Sequence, residues 1–320
     1  MHIFQLTKPV MLIAFRRPDL ARDQIAMLAR VQPPRLYIAL DAPRPERPAE
    51  VEASEAVRSV FDSIPWPCEV RRNYADSNMG CGRRVSSAIT WLFEQETDGI
   101  ILEDDCLPNE SFFRFCEETL DRYRDDPRVM SVSGCLGTPE SKTIPQSYFF
   151  SKYTRIWGWA TWRRAWALYD YSFARWSEYE RSKAFRKKCF HREERKLWSD
   201  AARMVNERQV DTWDYQWWLD CWINDGLTAV ARVNMVTNTG FGPNSTHTTA
   251  EFHGHLKHAS LPLDFPLIHP TVVAANPLFD REYWNFVLRK RSLLQRIRRK
   301  LSTIPWLRLP RIAPAPLMAS

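Results

Sequence analysis

The chain has 320 residues, with 44% hydrophobic and 13% aromatic content, which excludes a disordered or low-complexity protein and leaves room for one large α/β domain or two smaller ones. Its formal charge is +7, but residues 283–320 hold nine basic groups and no acid, leaving 36 basic against 38 acidic groups in residues 1–282. The body is therefore near neutral, which argues against nucleic acid as a partner.

In chain order, short apolar runs at 9–15, 35–40, 68–74, 99–103 and 128–134 alternate with helical patterns, the signature of β-α-β units and a mostly parallel sheet. "DLARDQIAMLARV" (19–31) sets Leu20, Ile25, Leu28 and Val31 near helical spacing, and "GRRVSSAITWLFEQ" (82–95) does the same with Val85, Ile89, Leu92 and Phe93. Nowhere in the chain does a G-x-G-x-x-G or G-x-x-x-x-G-K occur, which argues against a Rossmann dehydrogenase or a P-loop NTPase. The run "GIIL" ends in Glu103, Asp104 and Asp105, whose like charges repel unless something positive lies among them. A hard divalent cation held by carboxylate oxygens is the expected answer. "PNESFFRFCEETLDRY" (108–123) then reads as a helix capped by Asn109.

From about Tyr148 the strand-helix alternation fades, and ten of the fourteen tryptophans fall between Trp157 and Trp222. "TNTGFGPNSTHTTAEFHGHLKH" (237–258) reads as a long polar loop, with His253, His255 and His258 taken as solvated. The tail sets Phe286, Leu293, Leu294, Ile297 and Leu301 among arginines, a basic amphipathic helix suited to an anionic membrane surface. Seven scattered cysteines without a C-x-x-C pair predict neither disulfides nor structural zinc, and point to a reducing, cytoplasmic location, peripheral at the inner face of the membrane if the tail binds lipid.

"GIILEDDCLPNESFFRF" resembles the acidic segment of N-acetylglucosaminyltransferase I-like and bacterial family 2-like GT-A glycosyltransferases. "PVMLIAFRRPDLARDQIAML" is similar to their opening strand and helix, "RLYIALDAPRP" to their second strand, "RIWGWATWRRAW" to their acceptor segment and "TWDYQWWLDCW" to the segment bearing the catalytic Asp. This resemblance implies a GT-A (Rossmann-like), mostly parallel sheet in a single large domain. Its divisions would be a donor half at 1–135, an acceptor half at 136–262 and an extension at 263–320. It implies a metal-dependent glycosyltransferase using Mn²⁺ or Mg²⁺ and a nucleotide-diphosphate sugar, a UDP-sugar favoured, to glycosylate a hydroxyl of a glycan or lipid-linked acceptor.

The implied roles are Asp105 and His247 on the metal, Glu103 and Asp104 on the ribose or donor sugar, Asp41 on the base, and Arg17 and Arg84 near the diphosphate or base. Asp214 is the expected base for an inverting transfer, its tryptophan neighbours favouring a raised pKa, with Asp211 and Asp220 as rivals. Trp157 and Trp159 are expected to offer faces to an acceptor sugar. The alternatives are a nucleotidyltransferase that makes nucleotide sugars, and a catalytically inactive carbohydrate-binding protein.

Overall fold

The computed structural model describes residues 4–138, 144–240 and 259–289. Ten strands and ten α-helices are found among them. The first half runs β1 (Val10–Ala14), α1 (Pro18–Val31), β2 (Arg35–Leu40), α2 (Pro48–Asp62), β3 (Glu69–Tyr74), α3 (Gly80–Gln95), β4 (Asp98–Glu103), β5 (Cys106–Pro108), α4 (Glu110–Arg122) and β6 (Val129–Ser133). Every apolar run anticipated as a strand is one. Asn109 caps α4 as expected, accepting from the Phe112 amide at 3.3 Å. The helix α2 was not anticipated, because its buried positions are Glu50, Ser54, Val57 and Phe61, and two polar residues break the apolar stripe.

The second half contributes β7 (Tyr148–Ser151), β8 (Trp159–Trp162), the short helices α5 (Arg163–Trp166), α6 (Trp176–Arg181) and α7 (Lys183–Lys188), then α8 (Arg192–Asn206), α9 (Asp214–Ile223), β9 (Leu227–Ala231), β10 (Val236–Asn238) and α10 (Pro277–Tyr283), which runs into a π-helical turn (Trp284–Leu288). Eight strands form one sheet in the order β3-β2-β1-β4-β8-β6-β9-β7. Pairing is parallel from β3 through β4 and between β6 and β9, whereas β8 enters antiparallel between β4 and β6, and β7 is antiparallel on β9. The architecture is thus α/β with a mixed, mostly parallel central sheet, the strands of both halves sharing it. β1, β4 and β6 are buried along their whole length, as strands covered on both faces must be.

The chain leaves β1 toward β2 and β3 and then returns to β4 on the other side of β1. That reversal opens a crevice at the carboxyl ends of β1 and β4, the usual ligand position of open α/β sheets. The register Ile13↔Glu103 and Ala14↔Leu40 brings Arg17, Asp41 and the acidic triplet to one rim. β5 and β10 form a separate antiparallel pair, Asn238 opposite Cys106, which brings the second half back to Asp105.

Trp159 is fully buried, stacked on Trp213 with centroids 5.6 Å apart and 5.7 Å from Trp217, while Trp166 stacks on Tyr169 at 4.2 Å. Trp198, Trp218 and Trp222 form a further group, at 4.5 and 5.1 Å. Trp157 is also buried. The expected sugar platform therefore gives way to core packing: Trp159 has no face left for an acceptor, because the aromatic-rich second half spends its indoles on joining α9 to the sheet. All seven cysteines are free. Among the described residues no helix is long and apolar enough to cross a membrane. The basic tail beyond residue 289 and the three histidines of the 237–258 loop lie outside the described residues.

Replacing Trp159 with Ala should cost on the order of 3–5 kcal/mol, because it opens a cavity within the indole stack. Urea unfolding monitored by far-UV circular dichroism checks this, and a loss below about 1 kcal/mol would mean that the stack contributes little.

Candidate functional site

The positive group among the three acids is Arg17, in the loop between β1 and α1. Its Nε donates to Asp104 Oδ2 at 3.0 Å, its Nη2 binds Asp104 Oδ1, and the same Nη2 lies 3.5 Å from Asp105 Oδ2. Burial works against the Arg17 charge, but Asp104, Asp105 and Glu103 outweigh it and hold its pKa above the ordinary arginine value. The turn after β4 is fastened from below by Gln24, a fully buried polar residue of α1 whose Nε2 donates to the Glu103 carbonyl at 2.7 Å and the Cys106 carbonyl at 3.2 Å.

Above this turn lies a cavity of about 260 Å³. Its walls are residues 13–17, Asp41 and Arg44 after β2, Asn78 with Gly80, Cys81, Arg84 and Val85 at the start of α3, Glu103 and Asp104 after β4, and Asp211. Four arginines, Arg16, Arg17, Arg44 and Arg84, and four carboxylates line it together. Arg84 is 4% exposed and donates Nη2 to the Asn73 carbonyl at 2.5 Å, while its Nε has no hydrogen bond. Burial lowers its pKa, opposed only by Asp41. A buried guanidinium on the wall of a cavity, with no carboxylate bound to it, is suited to an anionic ligand.

Glu103 and Asp104 line the cavity. Asp105, expected to be the direct metal ligand, is fully buried and does not line it. Cys106 Sγ and Asn238 Nδ2 reach its Oδ1 at 3.5 and 3.4 Å, whereas Oδ2 accepts no hydrogen bond. Burial and neighbouring Asp104 push the Asp105 carboxyl above the usual range while Arg17 pulls it down. Gly240 lies so close to Asp105 Oδ2 that a Cβ there would collide with it. His247, the other expected ligand, falls outside the described residues.

Among the described residues, no group of three His, Cys, Asp or Glu side chains is arranged as a metal cage. The donor chemistry nevertheless fits a hard divalent cation. Glu103 and Asp104 present only carboxylate oxygens to the cavity, and a cation that also binds substrate phosphates needs only one or two carboxylates.

Asp41 has a role that its position alone did not reveal. Its Oδ1 accepts from the Ala42 and Met79 amides, both at 2.9 Å, and its Oδ2 from the Gly80 amide at 3.1 Å and Asn78 Nδ2 at 3.2 Å. A carboxylate has about four acceptor positions, so a nucleotide base would have to displace one of these donors. Asp41 caps the amino end of α3 from a neighbouring strand, and Asp211 caps it again by accepting from the Gly82 amide at 3.0 Å. The two glycines of "GCG" are what admit Asp211: a Cβ on either would strike its carboxylate, and Gly80 has φ +76, in the left-handed region.

Of the three candidate bases, Asp211 lines the cavity and Asp214, at the start of α9, is buried and does not. Asp214 Oδ1 accepts from the Thr212 hydroxyl and from the Tyr215 amide at 2.8 Å. It remains near the cavity, since the Cys81 thiol is raised chiefly by burial but also by the charges of Glu103, Asp214, Asp211 and Asp104. Asp220 is the buried tie between α9 and the 167–175 connection, accepting from the Asp170 amide at 2.7 Å and from Arg175 Nη2 at 2.8 Å. Arg16, Arg44, Asn78 and Cys81 were not anticipated at the site. "GCG" and the arginine-proline spacing of "PRPERP" are the signals that could have marked this wall.

No family model matches the chain, and no curated protein matches it. Solved structures similar to it include HddC from Yersinia pseudotuberculosis (9% identity over 49% of this chain and 78% of that one, TM-score 0.31) and a UDP-glucose pyrophosphorylase complexed with UDP-glucose (7%, 51% and 79%, TM-score 0.30). Another is 4-diphosphocytidyl-2C-methyl-D-erythritolsynthase from Anaerococcus prevotii DSM 20548 (8%, 90% and 99%, TM-score 0.35). At these identities and TM-scores the likeness brings neither a family nor an activity to this chain.

Burial pushes the Asp220 carboxyl up to about 7, against the pull of the Asp170 amide and Arg175. Its unfolded value is about 4, so between about pH 4 and 7 the folded chain binds the proton more tightly. The stability it contributes is full below about pH 4 and is lost as the pH rises through 7. Wild type should therefore lose stability relative to Asp220→Asn as the pH rises across this window. Urea midpoints taken from pH 4 to 8 check it, and parallel curves for the two proteins would contradict it.

Proposed function

We propose that this chain is a metal-dependent transferase acting on a nucleotide-diphosphate sugar, and that it moves the sugar to a hydroxyl of a glycan or glycolipid with inversion at the anomeric carbon. The observation that carries the reading is the cavity at the β1/β4 reversal, where carboxylates suited to a hard cation stand beside four arginines, one of them buried with no carboxylate bound to it. Arg17 and Arg84 would lie near the diphosphate or the base, with Glu103 and Asp104 toward the ribose and sugar. Mn²⁺ or Mg²⁺, held by oxygens of the acidic triplet, would supply positive charge to the departing diphosphate.

Asp214 is proposed to take the proton from the acceptor hydroxyl. The hydroxyl oxygen then bonds to the anomeric carbon as the bond to the diphosphate oxygen breaks, and the configuration inverts. Thr212 and Tyr215 would hold one Asp214 oxygen in place for this transfer. The division into a donor half at 1–135 and an acceptor half at 136–262 belongs to the same proposal.

Nucleotidyl transfer to a sugar phosphate would use the same cavity. The loop between β1 and α1 argues against it. Phe15, Arg16 and Arg17 lead straight into Pro18, so no glycine lets a triphosphate approach the backbone, and the first helical residue has no amide N–H to offer.

The two reactions release different products. Incubation with UDP-sugars, GDP-sugars and Mn²⁺ should release nucleoside diphosphate, whereas pyrophosphate released from a nucleoside triphosphate with a sugar 1-phosphate would identify the rival. In the same assay Asp214→Asn should keep nucleotide binding and lose about 10²–10⁴ in rate. Collapse of nucleotide affinity with the residual rate unchanged would make Asp214 a structural residue.

A further inference from the structure

Glu50 does not line the cavity, yet two of the cavity's arginines converge on it. It is 4% exposed, in the first turn of α2. Arg44 donates Nε to Oε1 at 2.8 Å, Nη2 to Oε2 at 2.6 Å and its backbone amide to Oε1 at 2.9 Å. Arg16 Nη1 reaches Oε2 at 3.3 Å and Arg47 Nη1 lies 3.8 Å from it. Arg44, chiefly through its hydrogen bonds, holds the Glu50 carboxyl down at about 2 despite burial, so it is ionised throughout the physiological range.

One buried carboxylate thus faces three guanidinium groups, and a positive surplus remains. The Arg16 and Arg44 side chains are about one-third exposed and line the cavity. Untethered, two long side chains on neighbouring loops would sample many rotamers, and ligand binding would have to remove that freedom. A shared buried partner removes it before the ligand arrives.

We propose that Glu50 is the positioning residue of a preorganised anion subsite, in which Arg16 and Arg44 are held ready for the phosphates of a nucleoside diphosphate. The proposal rests on the nucleotide-sugar reading above and names the wall of the cavity that receives the anion. It also fixes the sign of an effect. If Glu50 acted as a charge alone, removing it would tighten anion binding, because one negative charge leaves the neighbourhood. If it positions the arginines, removing it weakens binding.

Titration calorimetry with UDP, GDP, CDP, ADP and dTDP in Mn²⁺ tests this on wild type, Glu50→Gln, Glu50→Asp, the Arg16→Ala/Arg44→Ala double variant and the triple variant that adds Glu50→Gln. Glu50→Gln should weaken the tightest diphosphate roughly tenfold, Glu50→Asp should recover part of the loss, and Glu50→Gln should add nothing once both arginines are gone. Equal or tighter binding by Glu50→Gln, while circular dichroism shows it folded, overturns the assignment and leaves the transferase reading standing. A full effect of Glu50→Gln in the background lacking both arginines overturns it as well. Should Glu50→Gln fail to fold, weaker binding by folded Glu50→Asp is the expected result, and equal or tighter binding overturns the proposal. A wild-type chain that binds none of the five diphosphates overturns the transferase reading, and this inference with it.

Discussion

The ion pair between Arg17 and the acids that end β4 is the constraint on which the rest of the site depends. Three successive carboxylates on one turn repel one another, and the fully buried Asp105 has no access to solvent screening. Arg17 meets Asp104 through two nitrogens and stands 3.5 Å from Asp105, so a single residue offsets the repulsion. Its position follows from the register that sets Ile13 beside Glu103, for three residues beyond β1 the guanidinium is already level with the end of β4. Because Arg17 is spoken for, the guanidinium that remains without a carboxylate on the cavity wall is Arg84, on the opposite flank.

A second constraint shapes that flank. The amino end of α3 carries the partial positive charge common to helix termini, and two carboxylates from different parts of the chain answer it: Asp41 from the end of β2, and Asp211 from just before α9. The Asp211 contact ties the second half of the molecule to the first at the cavity. The glycines at 80 and 82 are the condition for that closure, since a side chain at either would push Asp211 away.

The tryptophan-rich half supports the site from behind. The indoles of Trp159, Trp166, Trp213 and Trp217 pack in stacked and tilted pairs between β8 and α9, which fixes where α9 begins and therefore where Asp211 and Asp214 stand. The aromatic payload is used for rigidity in a region whose strands are only three to five residues long.

The first half of the fold, α2 apart, was legible in the sequence because its signals are local. Apolar runs, helical spacing and the Asn109 cap depend on residues within a few positions of one another, and each appears where the pattern puts it. The acidic triplet also announced the site, since like charges side by side demand a counter-charge. The identity of that counter-charge was decided by tertiary structure, because Arg17 is 87 residues away and only the parallel register of β1 and β4 brings it there. The same reason hid the capping roles of Asp41 and Asp211, the gathering of Arg16 and Arg44 on Glu50, and the burial of Trp159. Composition marks such residues as charged or aromatic, but whether a carboxylate caps a helix or faces a ligand, and whether an indole is core or platform, depends on neighbours supplied by distant segments.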